Sequence, residues 1–325
     1  MDIISRSKAV TICIVLILTL LTVSCDGGGL MENINTKITD NIKAVSVFNG
    51  VVGQDGAISG DYMLRFENDA TCTVYLLTSN EQIAQFTLDK ADIMKPHCNT
   101  VCFGGEYFED GDEFPLLYIN VYNNYASEED RREGVCCVYR IQRDGTLFSS
   151  TLVQLIKIGF VDDIELWKSQ PDNSDRRPYG NFITDNERNR LYVYVMRDKT
   201  WKTRYFEFEM PRLSDGVYDE KYGVNTVILS SEDIKTQFDL GYSNYVQGGC
   251  ARNGILYSLE GGTVKGPDSK VPPRLKVIDM KKQALLSTVE LHSFGLSIEP
   301  ELIDFYGEAL YYMDSSGAVY TIEFE

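Results

Sequence analysis

From Lys43 onward, apolar and polar positions alternate with period two in runs of five to nine residues, separated by Gly, Asn and Asp. Such alternation puts successive side chains on opposite faces of a strand, so the chain reads as many short strands joined by turns. Helical periodicity is scarce. Residues 230–238, SSEDIKTQF, predict two helical turns behind a capping serine, and the charged insert 127–133 reads as a helix or as irregular chain.

One hallmark recurs inside the strand pattern, an aliphatic residue followed by Tyr. It stands in CTVYLL (Val74-Tyr75), PLLYINVY (Leu117-Tyr118), NRLYVYVM (Leu191-Tyr192), GILYSLEG (Leu256-Tyr257) and EALYYMDS (Leu310-Tyr311). Each is preceded by one strand-like run (DYMLRF, NTVCFGG, GNFITD, QGGCAR, ELIDFY) and followed by another (IAQFTLD, VCCVYRIQRDG, TRYFEFEM, PRLKVIDMKK, GAVYTIEFE). Blades two to four add a fourth run in TLFSSTLVQLIKI, NTVILSS and LLSTVELHSF. Three or four antiparallel strands repeated five times predict an all-β fold, a β-propeller of five blades. The last repeat stops after three strands, and IKAVSVFNG at residues 42–50 is free to supply the fourth, closing the ring with strands from both termini. Six or seven blades, or a β-sandwich, are the alternatives the uneven spacing leaves open.

The first residues change the expected address. Arg6 and Lys8 precede an apolar run from Ala9 to Val23, which is followed by Ser24-Cys25 and then Asp-Gly-Gly-Gly. A basic start, a short apolar stretch and a small residue form a secretory signal. The run is shorter than the roughly twenty residues a membrane span needs. Ser24-Cys25 resembles the bacterial lipobox, which implies cleavage after residue 24 and lipidation of Cys25. Residues 1–24 are thus read as signal, 25–41 as a flexible tether and 42–325 as a single propeller domain. The net charge of −17 excludes nucleic acid and anionic membrane surfaces as partners, because both require a basic face. Membrane contact is expected through the N-terminal lipid alone.

The mature part holds Cys72, Cys98, Cys102, Cys136, Cys137 and Cys250. An even count in an exported chain invites disulfides, but Cys98 and Cys102, placed on one strand, would stand ~13 Å apart, beyond bridging distance. Both are expected on one face of that strand, with Asn99 and Val101 on the other. Cys136 and Cys137 are adjacent and point apart. Free, buried thiols are the expectation, with one bridge through Cys136 or Cys137 as the alternative. His97 beside Cys98 suggests a metal, but zinc needs three or four converging ligands and the chain has two histidines, His97 and His292. The acidic run Glu109, Asp110, Asp112, Glu113 lacks the spacing of a calcium loop. No metal and no cofactor is expected.

In a propeller the first strand of each blade lines the axis, so residues at its start converge at one mouth. Reading back ten or eleven residues from the marker tyrosines gives Asn181, Gln247 and Glu301. Blade two contributes Asn99 beside His97, and blade one Arg65. Tyr179, Tyr245 and Glu299 support this ring. Amide, imidazole, guanidinium, carboxylate and aromatic groups together suit a polar ligand such as a sugar, or a protein partner. Catalytic signals are poor: there is no G-x-S-x-G, no H-E-x-x-H, and the axial carboxylates Glu299, Glu301 and Asp304 all come from one blade, whereas glycosidases place a pair across the substrate. A non-catalytic binding propeller is therefore expected, with a glycoside hydrolase or lyase using axial carboxylates as the alternative.

The lipobox-like Ser24-Cys25, the segment HCNTVCF…DEFPLLYINVY and the closing EPELIDFYGEALYYMDSSGAVYTIEF together resemble the lipid-anchored β-propeller lipoproteins of Bacteroidales. Leu302 stands where that family's closing motif usually has Gly. The resemblance implies a propeller fold and a place in the bacterial cell envelope, on the periplasmic or surface face, more than an activity.

Overall fold

The computed structural model describes residues 38–51, 53–122, 132, 134–160, 181–195, 202–241, 245–263 and 270–325; the signal, Cys25, the tether as far as residue 37, residues 127–131 and 133 of the charged insert and Tyr179 lie outside them. Five small sheets form a five-bladed β-propeller. Blade 1 is β2 (Asp55–Ser59), β3 (Tyr62–Phe66), β4 (Thr71–Leu76) and β5 (Glu81–Thr87). Blade 2 starts with β6 (Val101–Phe103), β7 (Leu117–Asn120), β8 (Val135–Asp144) and β9 (Leu147–Ile158). Blade 3 is β10 (Asn181–Asp185), β11 (Arg190–Val195), β12 (Thr203–Glu209) and β15 (Thr236–Leu240). Blade 4 is β16 (Val246–Arg252), β17 (Ile255–Thr263), β18 (Lys270–Asp279) and β19 (Ala284–Glu290). Blade 5 is β20 (Pro300–Tyr306), β21 (Ala309–Asp314) and β22 (Val319–Phe324), and its outer strand is β1 (Ile42–Phe48), antiparallel to β22 with Ile42 opposite Phe324. The ring thus closes with strands from both ends of the chain, as the sequence predicts.

Packing explains why the hallmark marks a blade. Tyr118, Tyr192, Tyr257 and Tyr311 lie on second strands and each faces the following blade, while Leu117, Leu191, Leu256 and Leu310 face the preceding one. The pleat alternates faces, so one Leu-Tyr pair fills two blade interfaces. Five apolar clusters result, one between each pair of adjacent blades. This is how a ring of thin sheets acquires a core.

Three assignments are corrected. In blade 1 the Val74-Tyr75 pair sits in the third strand, with Tyr75 facing backward into the interface with blade 5. Met63-Leu64 holds the place of the hallmark, and the axial strand is DGAIS, not DYMLRF. Residues 230–238 form a single 3-10 turn, Ser231–Asp233, whose Ser230–Asp233 capping box is present, and then run into β15. The run NTVILSS does not belong to blade 3: as β14 (Val224–Leu229) it pairs in parallel with β9, and β13 (Val217–Asp219) lies outside it, which makes blade 2 six-stranded.

All six cysteines described are free and buried. Cys98 is not on the strand. Its backbone is left-handed, with φ of 59°, and it packs with Val101 between blades 1 and 2, whereas Cys102 packs between blades 2 and 3. The expectation that the two share one face fails because the turn before β6 breaks the two-residue period.

Candidate functional site

The five axial strands β2, β6, β10, β16 and β20 each contact their neighbours around the ring. Their first residues bring polar groups to one mouth. Asn181 opens β10, Gln247 and Glu301 are second in β16 and β20, and Asn99 stands two residues ahead of β6. Blade 1 contributes Asp55, the first residue of β2. Arg65, on the second strand, is opposite Gly56 and lays its side chain over the axial strand from there. A Cβ on Gly56 would stand 3.0 Å from Arg65 Cδ and 2.2 Å from the Leu64 carbonyl oxygen, so only glycine leaves the arginine its path.

The mouth has a buried layer and a half-buried one. In the buried layer Asp55, Arg65, Asn181 and Glu301 are 1%, 0%, 1% and 5% exposed. Thr100 Oγ1 donates to Asn181 Oδ1 at 2.9 Å, Asn99 Nδ2 approaches the same oxygen at 3.5 Å, and Asn120 Nδ2 donates to Asn99 Oδ1 at 3.0 Å. Asp55 Oδ2 accepts the backbone N–H of Val101 at 2.8 Å, joining blade 1 to blade 2. Arg65 Nη2 donates to the Gly53 carbonyl. Burial pulls the Arg65 guanidinium down to about 10, against the pull of Asp55 and Glu301, which favour its charge. Burial raises the carboxyls of Asp55 and Glu301 well above their ordinary range, with Arg65 opposing in both cases and Glu299 adding to the rise of Glu301.

In this layer several polar atoms find no partner among the described residues: Asp55 Oδ1, Arg65 Nε and Nη1, Asn120 Oδ1 and Asn181 Nδ2. Buried orphans of that kind cost on the order of 1–3 kcal/mol each. Four residues from three blades share the pattern at this mouth, which makes it the candidate site.

Around this layer, Gln247 Nε2 donates to Glu299 Oε1 at 2.7 Å and to the Gly261 carbonyl at 3.0 Å. His97 Nε2 is 3.0 Å from Gln54 Oε1, and its ring stacks on Tyr122 with centroids 6.3 Å apart; burial lowers its pKa. Tyr245 is exposed. Of the predicted set, the structure therefore links Asn99 with Asn181 and Gln247 with Glu299, buries Arg65 and Glu301 in the same layer, and pairs His97 with Gln54. Sequence reasoning missed Asp55, Thr100, Asn120 and Gln54. The signal for Asp55 was available: it opens the first strand-like run after the closing strand, in QDGAIS.

Asp304 is not at the mouth. Its Oδ2 accepts the Ile58 N–H at 2.7 Å and its Oδ1 the Phe305 N–H at 2.8 Å, so it clasps blade 5 to blade 1. The acidic run 109–113 is held by arginines: Arg140 bonds Glu109 and Asp112 and lies over the Phe108 ring, and Arg143 bonds Glu113. Among the described residues no group of three His, Cys, Asp or Glu side chains is placed to hold a metal ion.

No protein-family model matches the chain, and no curated protein matches its sequence. Solved structures to which the chain is similar include three at 8% identity. A glutaminyl cyclase of Myxococcus xanthus has a TM-score of 0.44, over 86% of this chain and 95% of that one. BamB of Moraxella catarrhalis has 0.33, over 84% and 58%. The hydrazine synthase of Kuenenia stuttgartiensis has 0.38, over 79% and 60%.

Proposed function

We propose that this propeller binds a polar ligand, a glycan, at the axial mouth without transforming it. The observation that carries the reading is the set of buried, unpartnered donors and acceptors on Asp55, Arg65, Asn120 and Asn181, ringed by the amide of Gln247, the carboxylate of Glu299 and the stacked His97 and Tyr122. Hydroxyl groups both donate and accept, so a sugar satisfies such a mixed set. In this reading the chain is an exported lipoprotein of the cell envelope, held by a lipid on Cys25. Labelling with a fatty-acid analogue, abolished by Cys25→Ser, tests the anchor.

One observation favours the enzyme reading over what the sequence alone allows: Asp55 and Glu301 come from different blades, so two axial carboxylates no longer share one strand. A glycan array followed by product analysis separates the readings. Binding with no product, weakened by Asn181→Ala or Gln247→Ala, supports the binding propeller. Turnover lost on Glu301→Gln would overturn it in favour of a hydrolase or lyase.

A further inference from the structure

The charges at the mouth do not balance. Two buried carboxyl side chains, Asp55 and Glu301, and one buried guanidinium, Arg65, stand at the mouth, with Glu299 close by, hydrogen-bonded to Gln247. With both buried carboxylates ionised, the three-residue cluster carries one uncompensated negative charge, and burial without a partner is costly for a charged group. Burial raises both carboxyls well above their ordinary range, so in the free protein a proton relieves that charge. A positively charged ligand group would relieve it equally well. Asp55 supplies the acceptor: its Oδ1 is unpartnered, the residue is 99% buried by its 1% exposure, and the carboxylate is turned toward β16, 3.1 Å from the place a Cβ on Gly248 would take. Beside it, Arg65 Nε and Nη1 are unpartnered donors. An ammonium donor for Asp55 next to a hydroxyl acceptor for Arg65 is the pattern of a vicinal amino alcohol.

Resting on the glycan reading above, we infer that the mouth selects sugars with a free amino group, glucosamine-type units, over neutral, N-acetylated or uronic sugars. An N-acetyl group removes the positive charge. A uronate brings a second negative charge against Asp55, Glu299 and Glu301.

The test is calorimetric titration of the full chain with three oligosaccharide probes: a β-1,4-glucosamine hexamer, its fully N-acetylated counterpart and a galacturonate hexamer. A charge-assisted hydrogen bond corresponds to about tenfold or more in affinity, so the free amine should bind at least about tenfold tighter than the acetylated probe. Repeating the titration in buffers of different ionisation enthalpy should show proton release on binding. Asp55→Asn, which keeps an oxygen for the Val101 N–H, and Glu301→Gln should each remove most of the preference. Equal or tighter binding of the acetylated or uronate probe by the unaltered protein overturns the inference while leaving the glycan reading intact. Binding of none of the three overturns this inference, and the glycan reading with it if the array is also blank. The comparison of probes on the unaltered protein does not depend on either variant folding.

Discussion

Asp304, on the axial strand of blade 5, accepts the backbone N–H of Ile58 in blade 1 at 2.7 Å, so the joint between the last and first blades is made by a part-buried carboxylate. Burial pushes its pKa from 3.8 up to about 6. The folded protein therefore holds this proton more tightly than the unfolded chain does. The stabilisation is complete below the unfolded value and is lost as pH rises through about 6, for a total of up to about 3 kcal/mol at 1.36 kcal/mol per unit. His97 acts oppositely, since its lowered pKa costs stability as pH falls below the ordinary histidine value. Denaturant titrations of the protein and of Asp304→Asn across pH 4 to 7 isolate the aspartate. The difference in unfolding free energy, unaltered minus variant, should decline toward pH 6 and level off above it; a flat difference would show that Asp304 titrates as in the unfolded chain.

Arg65 is wholly buried, its charge favoured by the nearby carboxyls of Asp55 and Glu301, and removing one partner of a buried charge group is costly because the others lose compensation. Arg65→Met should destabilise the fold by about 3–5 kcal/mol. Combining it with Asp55→Asn and Glu301→Gln removes the stranded charges and should recover a large part of that loss. Chemical denaturation of the single and triple variants measures both steps.

Blades 2 to 5 were legible because their second strands carry a Leu-Tyr pair whose two members fill the two flanking interfaces. Blade 1 was misframed by one strand, since Tyr75 satisfies the same local pattern from the third strand while facing the opposite way. Its true axial strand, DGAIS, holds few large apolar residues, so periodicity passes over it. The same misframing put Arg65 on the axial strand and hid Asp55. Asn181, Gln247 and Glu301 were found because strand starts are fixed by counting back from the marker. Thr100 and Asn120 were not, because the Thr100 bond to Asn181 crosses between blades and the Asn120 bond to Asn99 joins residues 21 apart in the chain, and neither leaves a local trace. Nor does strand pattern say which sheet a strand joins: β14 and β15 both alternate, and their exchange between blades 2 and 3 is decided by tertiary pairing.

Gly248 sits where β16 passes closest to its neighbours. A Cβ there would lie 2.6 Å from the Glu301 carbonyl oxygen and 3.1 Å from Asp55 Oδ1. The backbone oxygen cannot swing away as a side chain could, so Gly248→Ala should cost about 1–3 kcal/mol through forced displacement of β20. Gly60, in an open turn with nothing near its Cβ but φ of 54°, provides a contrast: Gly60→Asn should be nearly neutral because Asn tolerates that conformation. Thermal melts of the two variants should differ clearly; equal melts would mean the axis is looser than the contact implies.

The buried cysteines should be inert. Burial raises the thiols of Cys102 and Cys137 to about 12 and holds those of Cys72, Cys98, Cys136 and Cys250 well above their ordinary range. Thiolate, the reactive form, is therefore scarce and unreachable. A short pulse of iodoacetamide followed by peptide mass mapping should label none of the six in native buffer and all six in denaturant. Labelling of any one in native buffer identifies a blade that opens locally.

The closing strand should govern the stability of the ring. β1 pairs with β22 from Ile42–Phe324 to Phe48–Val319, and Ile42 is buried in the interface between blades 4 and 5. Without it β22 becomes an open edge that can pair with another chain, and the last blade loses apolar cover. Deleting residues 38–50 should lower the melting temperature and produce concentration-dependent association, seen by sedimentation. Covalent closure should do the reverse: Ala44 and Ile322 are direct partners across the pair, and a disulfide between Ala44→Cys and Ile322→Cys ties a loop of nearly the whole domain. Constraining so long a loop is worth about 3 kcal/mol or more when the bridge forms without strain. The oxidised double variant should unfold at higher denaturant than its own reduced form. Identical midpoints would show that blade 5 stays closed until the other blades have already opened.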